Sequence, residues 1–308
     1  MATVAASPAL AATAAAQPMR RARAGEWRNA LFVAPYLVVF VVMLVVPLLW
    51  GMWLSTTKSD LFGTQAWVGL SNFVRLIRDP YFLQTVWNTF YFVLLTVPAL
   101  TLAGLGLALV LNRQERWAAV LRAIFFASTV LSVTVVTLVW RLVFLPDGGL
   151  LGVSAEALGR TPVAFLNDEK LAMPAIAITT IWWCIGLPMV LFLAALQQVP
   201  RDLYEAAALD NASRWTTLTR ITLPAIRRTF FLVIIIEVIL QFQLFGQPQL
   251  MTLGGPNNAT RPIVLFIYEA GWRQWELGYA AAAAQVLFAM ILVAAMIQYR
   301  ISARKDAA

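Results

Sequence analysis

Polar side chains inside one long apolar run are the residues with the clearest potential for chemistry. Glu237 lies near the middle of the run from Phe230 to Leu250, and Gln241 and Gln243 follow it. An ionised carboxylate at the centre of a membrane-spanning helix costs roughly 2.5 to 3.5 kcal/mol. We therefore expect Glu237 to face a cavity, a partner or a proton rather than lipid.

Helical spacing sorts these polar residues into two stripes. At about 100 degrees per residue, Gln241 and Leu244 share a face with Glu237, whereas Gln243 and Gln247 lie roughly a third of a turn away. One stripe could line a pathway for a hydrogen-bonding solute, while the other meets a neighbouring helix. The alternative for both is hydrogen bonding between helices, because glutamine and glutamate commonly join helices in membrane bundles.

The composition excludes most catalytic chemistry. Histidine is absent, and Cys184 is the only cysteine. This excludes disulfides within the chain, histidine or cysteine metal clusters, and nucleophiles that depend on histidine. None of Lys58, Lys170 and Lys305 follows a glycine, so the Gly-Lys-Ser/Thr phosphate-binding loop does not occur. The sequence predicts no catalytic residue, no metal and no bound cofactor, and any ATP and Mg must bind another chain.

A polar segment, residues 200–228, separates two apolar runs. Asp202 and Glu205 have the spacing of a capping box after Pro200, which predicts a short helix from Leu203. Such a polar segment between apolar runs is expected to contact something in water. An ordinary amphipathic connector is the alternative.

The same segment carries signals for a sharp bend. Asn211 tolerates a left-handed backbone, and Ser213 can cap a second helix. Pro224 disfavours helix in the residue before it. We therefore expect two short helices joined by a turn at Asn211.

Five groups of short motifs occur in order along nearly the whole chain. They are Val68-Gly69-Leu70-Ser71-Asn72-Phe73, Asn88-Thr89-Phe90, Trp140-Arg141, the set Glu205-Ala206-Ala207 with Asp210-Asn211-Ala212 and Ile221-Thr222-Leu223-Pro224, and Thr252-Leu253-Gly254-Gly255-Pro256 with Thr260. Together they resemble permeases of binding-protein-dependent ABC importers, specifically the first of the two permease subunits of maltose, glycerol-phosphate and multiple-sugar systems. Asn211 and Leu253 stand where that family commonly has glycine.

The resemblance implies two functional regions and a set of partners. The residues implied to couple to an ATPase are Glu205, Ala206, Ala207, Asp210, Asn211, Leu223 and Pro224. The residues implied to line the substrate pathway are Glu237, Gln241, Gln243, Leu244, Trp183, Gly186 and Met189. The implied partners are a second homologous permease, two ATPase subunits, an extracytoplasmic solute-binding protein that meets the loop after the fifth span, and a sugar or sugar-derived solute. A tryptophan face suits a sugar ring, although packing is the alternative for Trp183.

Apolar composition predicts an all-α membrane protein. Apolar residues make up 61% of the 308 residues and charged residues only 12%, against about 25% charged in soluble domains. Six runs are long enough for a bilayer core that needs about 20 helical residues. They are Leu31 to Leu54, Trp87 to Leu111, Val120 to Leu145, Ala172 to Leu196, Phe230 to Leu250 and Leu277 to Tyr299. With the resemblance, this predicts six transmembrane helices in a type I ABC importer permease fold, with a cytoplasmic coupling helix-turn-helix.

The arginines predict the orientation. They cluster before the first run, between the second and third, in residues 200–228 and after the last run, whereas acidic residues nearly balance the basic ones in the opposite loops. The positive-inside rule then places both termini and the polar segment in the cytoplasm of a bacterial cell, with the chain in its cytoplasmic (inner) membrane. Topology explains the net charge of +8 better than nucleic-acid binding does.

These observations predict a disordered basic tail at 1–29, a six-span permease domain at 30–300 with its coupling loop at 200–228, and a short tail at 301–308. The expected function is ATP-driven sugar import by alternating access, without catalysis by this chain. The alternative is an autonomous proton-coupled transporter that uses Glu237. Between the first two spans, apolar residues at helical spacing predict a short amphipathic helix along the membrane surface.

Overall fold

The computed structural model describes residues 23–60, 63 and 65–306, with side chains for 32–60, 63 and 65–302. Most of the predicted tail, residues 1–22, lies outside the described residues. The chain divides into two compact units, Met1–Gly51 and Met52–Ala308.

The first unit is helical from its first described residue. Helix α1 (Arg23–Phe40) leads through a π-helical turn (Val41–Val45) into α2 (Val46–Ser55). The turn has a local cause, because Pro47 has no N–H to donate to the carbonyl of Met43 four residues earlier. Helix α1 begins at Arg23, eight residues before Leu31, where the first span was predicted to start.

The second unit opens with a small hairpin that the sequence did not predict. Strands β1 (Thr57–Ser59) and β2 (Gln65–Trp67) pair antiparallel, and α3 (Ser71–Arg78) follows. Asn72 Nδ2 donates to the carbonyls of Ser55 and Thr57, each at 2.9 Å. Helix α3 is the short helix that the sequence predicted between the first two spans. The buried side-chain amide of Asn72 holds it to the hairpin.

One long helix, α4 (Pro80–Leu111), is the central element of the second unit. It starts where Asp79 accepts hydrogen bonds from the backbone of Tyr81 and Phe82, with Pro80 in the first helical position. The helices that follow are α5 (Arg116–Ser128), α6 (Val133–Phe144), α7 (Leu150–Ala157), α8 (Ala172–Cys184), α9 (Gly186–Gln197), α10 (Arg201–Leu209), α11 (Arg214–Thr217), α12 (Leu223–Ala225), α13 (Arg227–Phe242), α14 (Gly246–Met251), α15 (Ile263–Tyr268) and α16 (Leu277–Asp306). Helix α4 packs against α8, α9 and α13.

Two of the predicted spans are bent rather than straight. Helices α5 and α6 meet at 99°, and α8 and α9 meet at 45° across Ile185. The second break has a sequence cause, because Pro188 cannot donate to the carbonyl of Cys184. Ser132 caps the start of α6 after the first break, with its hydroxyl accepting from Val135 N.

The number of spans agrees with the prediction when each bent pair is taken as one span. Within the described residues, four segments are long and apolar enough to cross a bilayer, and the two bent pairs bring the total to six. The four are Phe32–Ser55, Pro80–Leu111, Arg227–Met251 and Leu277–Ser302. The fifth span itself contains an interruption, since α13 ends at Phe242 and α14 begins at Gly246.

Two glycines permit close packing within the second unit. A Cβ on Gly104 would lie 2.8 Å from Pro188 Cβ, so this glycine allows α4 and α9 to touch. At Gly278 the close neighbours are the carbonyl oxygens of Thr57 in the hairpin and of Leu54 in α2. A Cβ on Gly106 would have no neighbour within 4 Å in this chain.

Candidate substrate pathway and coupling surface

Glu237 and Gln241 form a buried polar pair on α13. Gln241 Nε2 donates to Glu237 Oε2 at 3.0 Å, and the two residues are 1% and 5% exposed. Residues four apart are neighbours on a helix face, so the bond lies within one helix. The pair supplies a hydrogen-bond acceptor and a donor within the otherwise apolar run from Phe230 to Phe242.

The second predicted stripe does not exist. Helix α13 ends at Phe242, so Gln243 and Gln247 do not share a helix face. Gln243 is exposed, and its Nε2 donates to the carbonyl oxygen of Ile239, four residues earlier in the chain, at 3.0 Å. Gln247, on α14, is buried and donates to Thr180 Oγ1 of α8 at 3.1 Å. Gln247 therefore joins two helices.

Two other predicted pathway residues, Leu244 and Met189, are buried, whereas Trp183 is partly exposed. Leu244 is 4% exposed, in a cluster with Phe92 and Phe144, and Met189 is fully buried. Trp183 Nε1 donates to Leu131 O at 3.1 Å, in the bend between α5 and α6.

Gly186 is a point of backbone contact between α9 and α5. A Cβ there would lie 2.4 Å from Phe125 O, closer than atoms normally approach. Only glycine fits such a crossing without displacing a helix. The pathway role of Gly186, like those of Trp183, Met189 and the α13 residues, stays a prediction.

The polar segment folds as two short helices with a left-handed turn between them. Asn211 has φ +50°, as predicted, and Ala212 N donates to Ala207 O at 2.9 Å across the turn. Ser213 Oγ accepts from Thr216 N at 3.1 Å, which is the predicted cap of the second helix. The turn and the cap both give hydrogen-bond partners to backbone groups that lack them at the helix ends.

Two predictions about this segment were wrong in detail. Helix α10 starts at Arg201, two residues before the predicted Leu203, and Asp202 makes no capping hydrogen bond. Pro224 does not end the helix, because a π-helical turn (Leu218–Thr222) continues into α12. Pro224 has no N–H to donate to the carbonyl of Arg220, and the wider π-helical turn before it accommodates the missing bond, as at Pro47.

The coupling residues sort into an inner and an outer set. Ala207 is 7% exposed and Leu223 packs against the buried cluster around Phe192. Tyr204 Oη and Thr222 Oγ1 lie 3.2 Å apart and tie α10 to the π-helical turn. The residues that face outward are Glu205, Ala206, Asp210, Asn211 and Pro224. Five of the seven predicted coupling residues thus lie at the outer surface of the segment, which is anchored from behind by Ala207, Leu223 and the Tyr204–Thr222 contact.

Comparison with known proteins identifies the family. Residues 81–306 match the family described as "Binding-protein-dependent transport system inner membrane component". The chain is 30% identical to the probable ABC transporter permease protein YurN of Bacillus subtilis, covering 88% of this chain and 94% of that protein. The chain belongs to this family.

Two further proteins are similar over most of this permease. The sulfoquinovosyl glycerol transport system permease protein SmoG of Agrobacterium fabrum is 30% identical, with 90% of each chain covered. A bacterial alginate ABC transporter, solved in complex with an alginate pentasaccharide-bound periplasmic protein, superposes with a TM-score of 0.80 at 22% identity, over 91% of this chain and 95% of that one. The permease therefore has the type I ABC importer permease fold and is the multi-pass membrane component of a binding-protein-dependent importer.

Two of the sequence motifs meet at one end of this permease. Asn88 Nδ2 donates to the carbonyls of Asn258 and Arg261, at 2.7 and 2.9 Å, and Thr89 Oγ1 accepts from Ile263 N at 3.0 Å. Asn88 and Thr89 thus hold the loop that follows Gly254-Gly255-Pro256 in place by hydrogen bonds to its backbone. Sequence reasoning missed this role, although a polar Asn-Thr pair at the apolar start of α4 was its signal.

Proposed function

We propose that this permease forms half of the pathway of an ATP-driven sugar importer that works by alternating access. The exposed Glu205–Pro224 segment carries the proposal. A polar helix-turn-helix with a left-handed turn at Asn211 and a tie between Tyr204 and Thr222 is suited to act as a rigid lever. Movement of partner ATPases, which bind ATP and Mg, would then be passed to the spans.

The proposed solute is a sugar or a sugar derivative. The names of the relatives support this, since SmoG is named for a sulfoquinovosyl glycerol transport system and a solved ABC transporter of the same fold is involved in the import of the acidic polysaccharide alginate. Glu237 and Gln241 offer an acceptor and a donor to sugar hydroxyls. Both are covered in this conformation, so helices beside α13 must move before a solute reaches them. The other proposed pathway residues are Gln243, Leu244, Trp183, Gly186 and Met189.

The proposed assembly contains a second homologous permease, two ATPase subunits and an extracytoplasmic binding protein. The periplasmic protein in the alginate complex supports the last of these. The proposed location is the bacterial cytoplasmic membrane, with both termini and the coupling segment in the cytoplasm. The arginine distribution supports this orientation. In this assembly ATP hydrolysis is performed by the ATPase chains alone.

Purification of the tagged permease from its own host tests the energy source. We expect an ATPase to co-purify, and the reconstituted complex to take up solute only with ATP and the binding protein. Uptake by the permease alone, driven by a proton gradient and abolished by Glu237→Gln, would instead establish the autonomous proton-coupled transporter.

Binding measurements on the cognate solute-binding protein test the solute class. A panel of neutral sugars, acidic sugars and sugar phosphates would be titrated against the purified binding protein. Binding of at least one panel member supports sugar import. Binding of amino acids or peptides, with no response to any sugar, would refute it.

A further inference from the structure

We propose that a cavity between the α4–α5 connection and the start of α10 binds the headgroup of an anionic phospholipid. The cavity has a volume of about 540 Å³, within the range of small-molecule sites. Three arginines line it, Arg113, Arg122 and Arg201, and no carboxylate does. They come from separate parts of the chain, and the fold brings them together.

The positive charge of the cavity is largely uncompensated. Arg122 donates only to backbone carbonyls, those of Ala118 at 3.2 Å and Arg113 at 3.5 Å. Within the described part of the chain, neither Arg122 nor Arg201 forms an ion pair. Arg113 lies 3.9 Å from Glu115, but both side chains are more than half exposed, so the pair is weak. A phosphate would meet guanidinium groups free to bind it in a bidentate manner.

An exposed apolar side chain beside Arg122 favours a lipid over a soluble anion. Phe126 lies one helical turn after Arg122, on the same face of α5, and is 45% exposed. A phospholipid can place its phosphate at the arginines and an acyl chain along Phe126. Basic pockets between membrane helices recognise lipid headgroups in this manner.

The cavity also touches the coupling segment. Tyr204 of α10 lines it, and its hydroxyl lies 3.2 Å from Thr222 Oγ1. A bound headgroup would therefore contact the helix proposed to couple transport to ATP hydrolysis. This consequence for transport rests on the proposed function, whereas lipid binding does not.

Native mass spectrometry of the purified complex tests the binding. The complex would be titrated with phosphatidylglycerol and, as a neutral lipid of the same chain length, phosphatidylcholine. The test variant is Arg122→Gln with Arg201→Gln. The matched control is Arg228→Gln with Arg300→Gln, which removes the same charge from exposed positions outside the cavity.

We expect the wild type to prefer phosphatidylglycerol, and the cavity variant to lose about 25-fold in affinity for it, equivalent to about 1 kcal/mol for each arginine at 1.4 kcal/mol per decade. The control should keep its preference. An unchanged preference in the cavity variant, or an equal loss in the control, would overturn the proposal.

A second variant keeps the proposal testable if the double substitution fails to fold. Glu115→Gln removes the carboxylate beside Arg113 and should tighten phosphatidylglycerol binding up to about fivefold. Weaker binding by this variant would contradict the proposal.

Competition with inorganic phosphate distinguishes a lipid headgroup from a soluble anion as the ligand. If inorganic phosphate displaces the lipid at comparable concentration, the cavity is a site for soluble anions and the lipid assignment is wrong.

Discussion

Replacing Gln241 by leucine tests the proposed pathway most directly. The substitution removes the amide that donates to Glu237 Oε2 at 3.0 Å, in a place where both residues are at most 5% exposed. In the proposed site a solute hydroxyl bound by this amide would also lose its partner, and a buried polar group left unpaired costs about 1 to 3 kcal/mol. At 1.4 kcal/mol per decade this corresponds to about 5- to 150-fold slower transport. Because the bond lies within α13, its loss does not separate two helices.

Transport and assembly must be measured on the same preparation. The assay compares ATP-dependent uptake into proteoliposomes with the amount of assembled complex and with solute affinity of the isolated binding protein. We expect Gln241→Leu to change uptake alone. Gln247→Leu is the matched comparison, because its amide bonds to Thr180 on another helix. That variant should reduce assembled complex first.

The reasoning fails if Gln241→Leu lowers assembled complex in proportion to uptake. Glu237 and Gln241 would then serve to hold the bundle together, as glutamine and glutamate do in other membrane helices. The pathway would have to be sought elsewhere, with Trp183 as the next residue to test. Unchanged uptake would also refute the assignment, since a solute-binding amide cannot be dispensable.

Three further predictions concern coupling, the turn and helix packing. Glu205→Lys should leave the complex assembled but uncouple ATP hydrolysis from uptake, and normal uptake by this variant would remove the coupling assignment. Asn211→Gly should be tolerated while Asn211→Val impairs uptake, because φ is +50° and β-branched residues are outliers there; equal uptake would show that the turn is not required. Gly186→Ala should lower the melting temperature of the complex, because its Cβ would lie 2.4 Å from Phe125 O, whereas Gly106→Ala, with open space around it, should not; equal melting temperatures would contradict the packing argument.

Periodicity predicted the polar face of α13 because Glu237 and Gln241 lie within one uninterrupted helix. The same reasoning failed for Gln243, Leu244 and Gln247 because all three follow the end of the helix at Phe242. Gly246 and Pro248 were the available signal, since both interrupt helices, but they do not show where a helix stops. Local chemistry therefore predicts a face only as far as the helix continues.

Local chemistry predicted the bend of the polar segment but not the start of its first helix. Asn211 and Ser213 act through their own backbone conformation and nearest amides, so sequence alone predicted them. Asp202 was expected to cap α10, yet the chain enters the helix at Arg201 directly after Pro200. The hairpin before α3 was also missed, because its strands have only three residues each and depend on Asn72 for support. The hairpin was therefore decided by a tertiary contact rather than by its local sequence.

The right-angle break between α5 and α6 has a consequence for how the cell builds this protein. The two helices have 13 and 12 residues, whereas a helix needs about 20 to cross a bilayer unaided. Neither half can enter the membrane as a finished span, and the carbonyls at the break need cover that lipid does not provide. Trp183, which donates to Leu131 O in that break, is translated more than 50 residues later. Stable integration of the third span therefore has to wait for synthesis of the fourth.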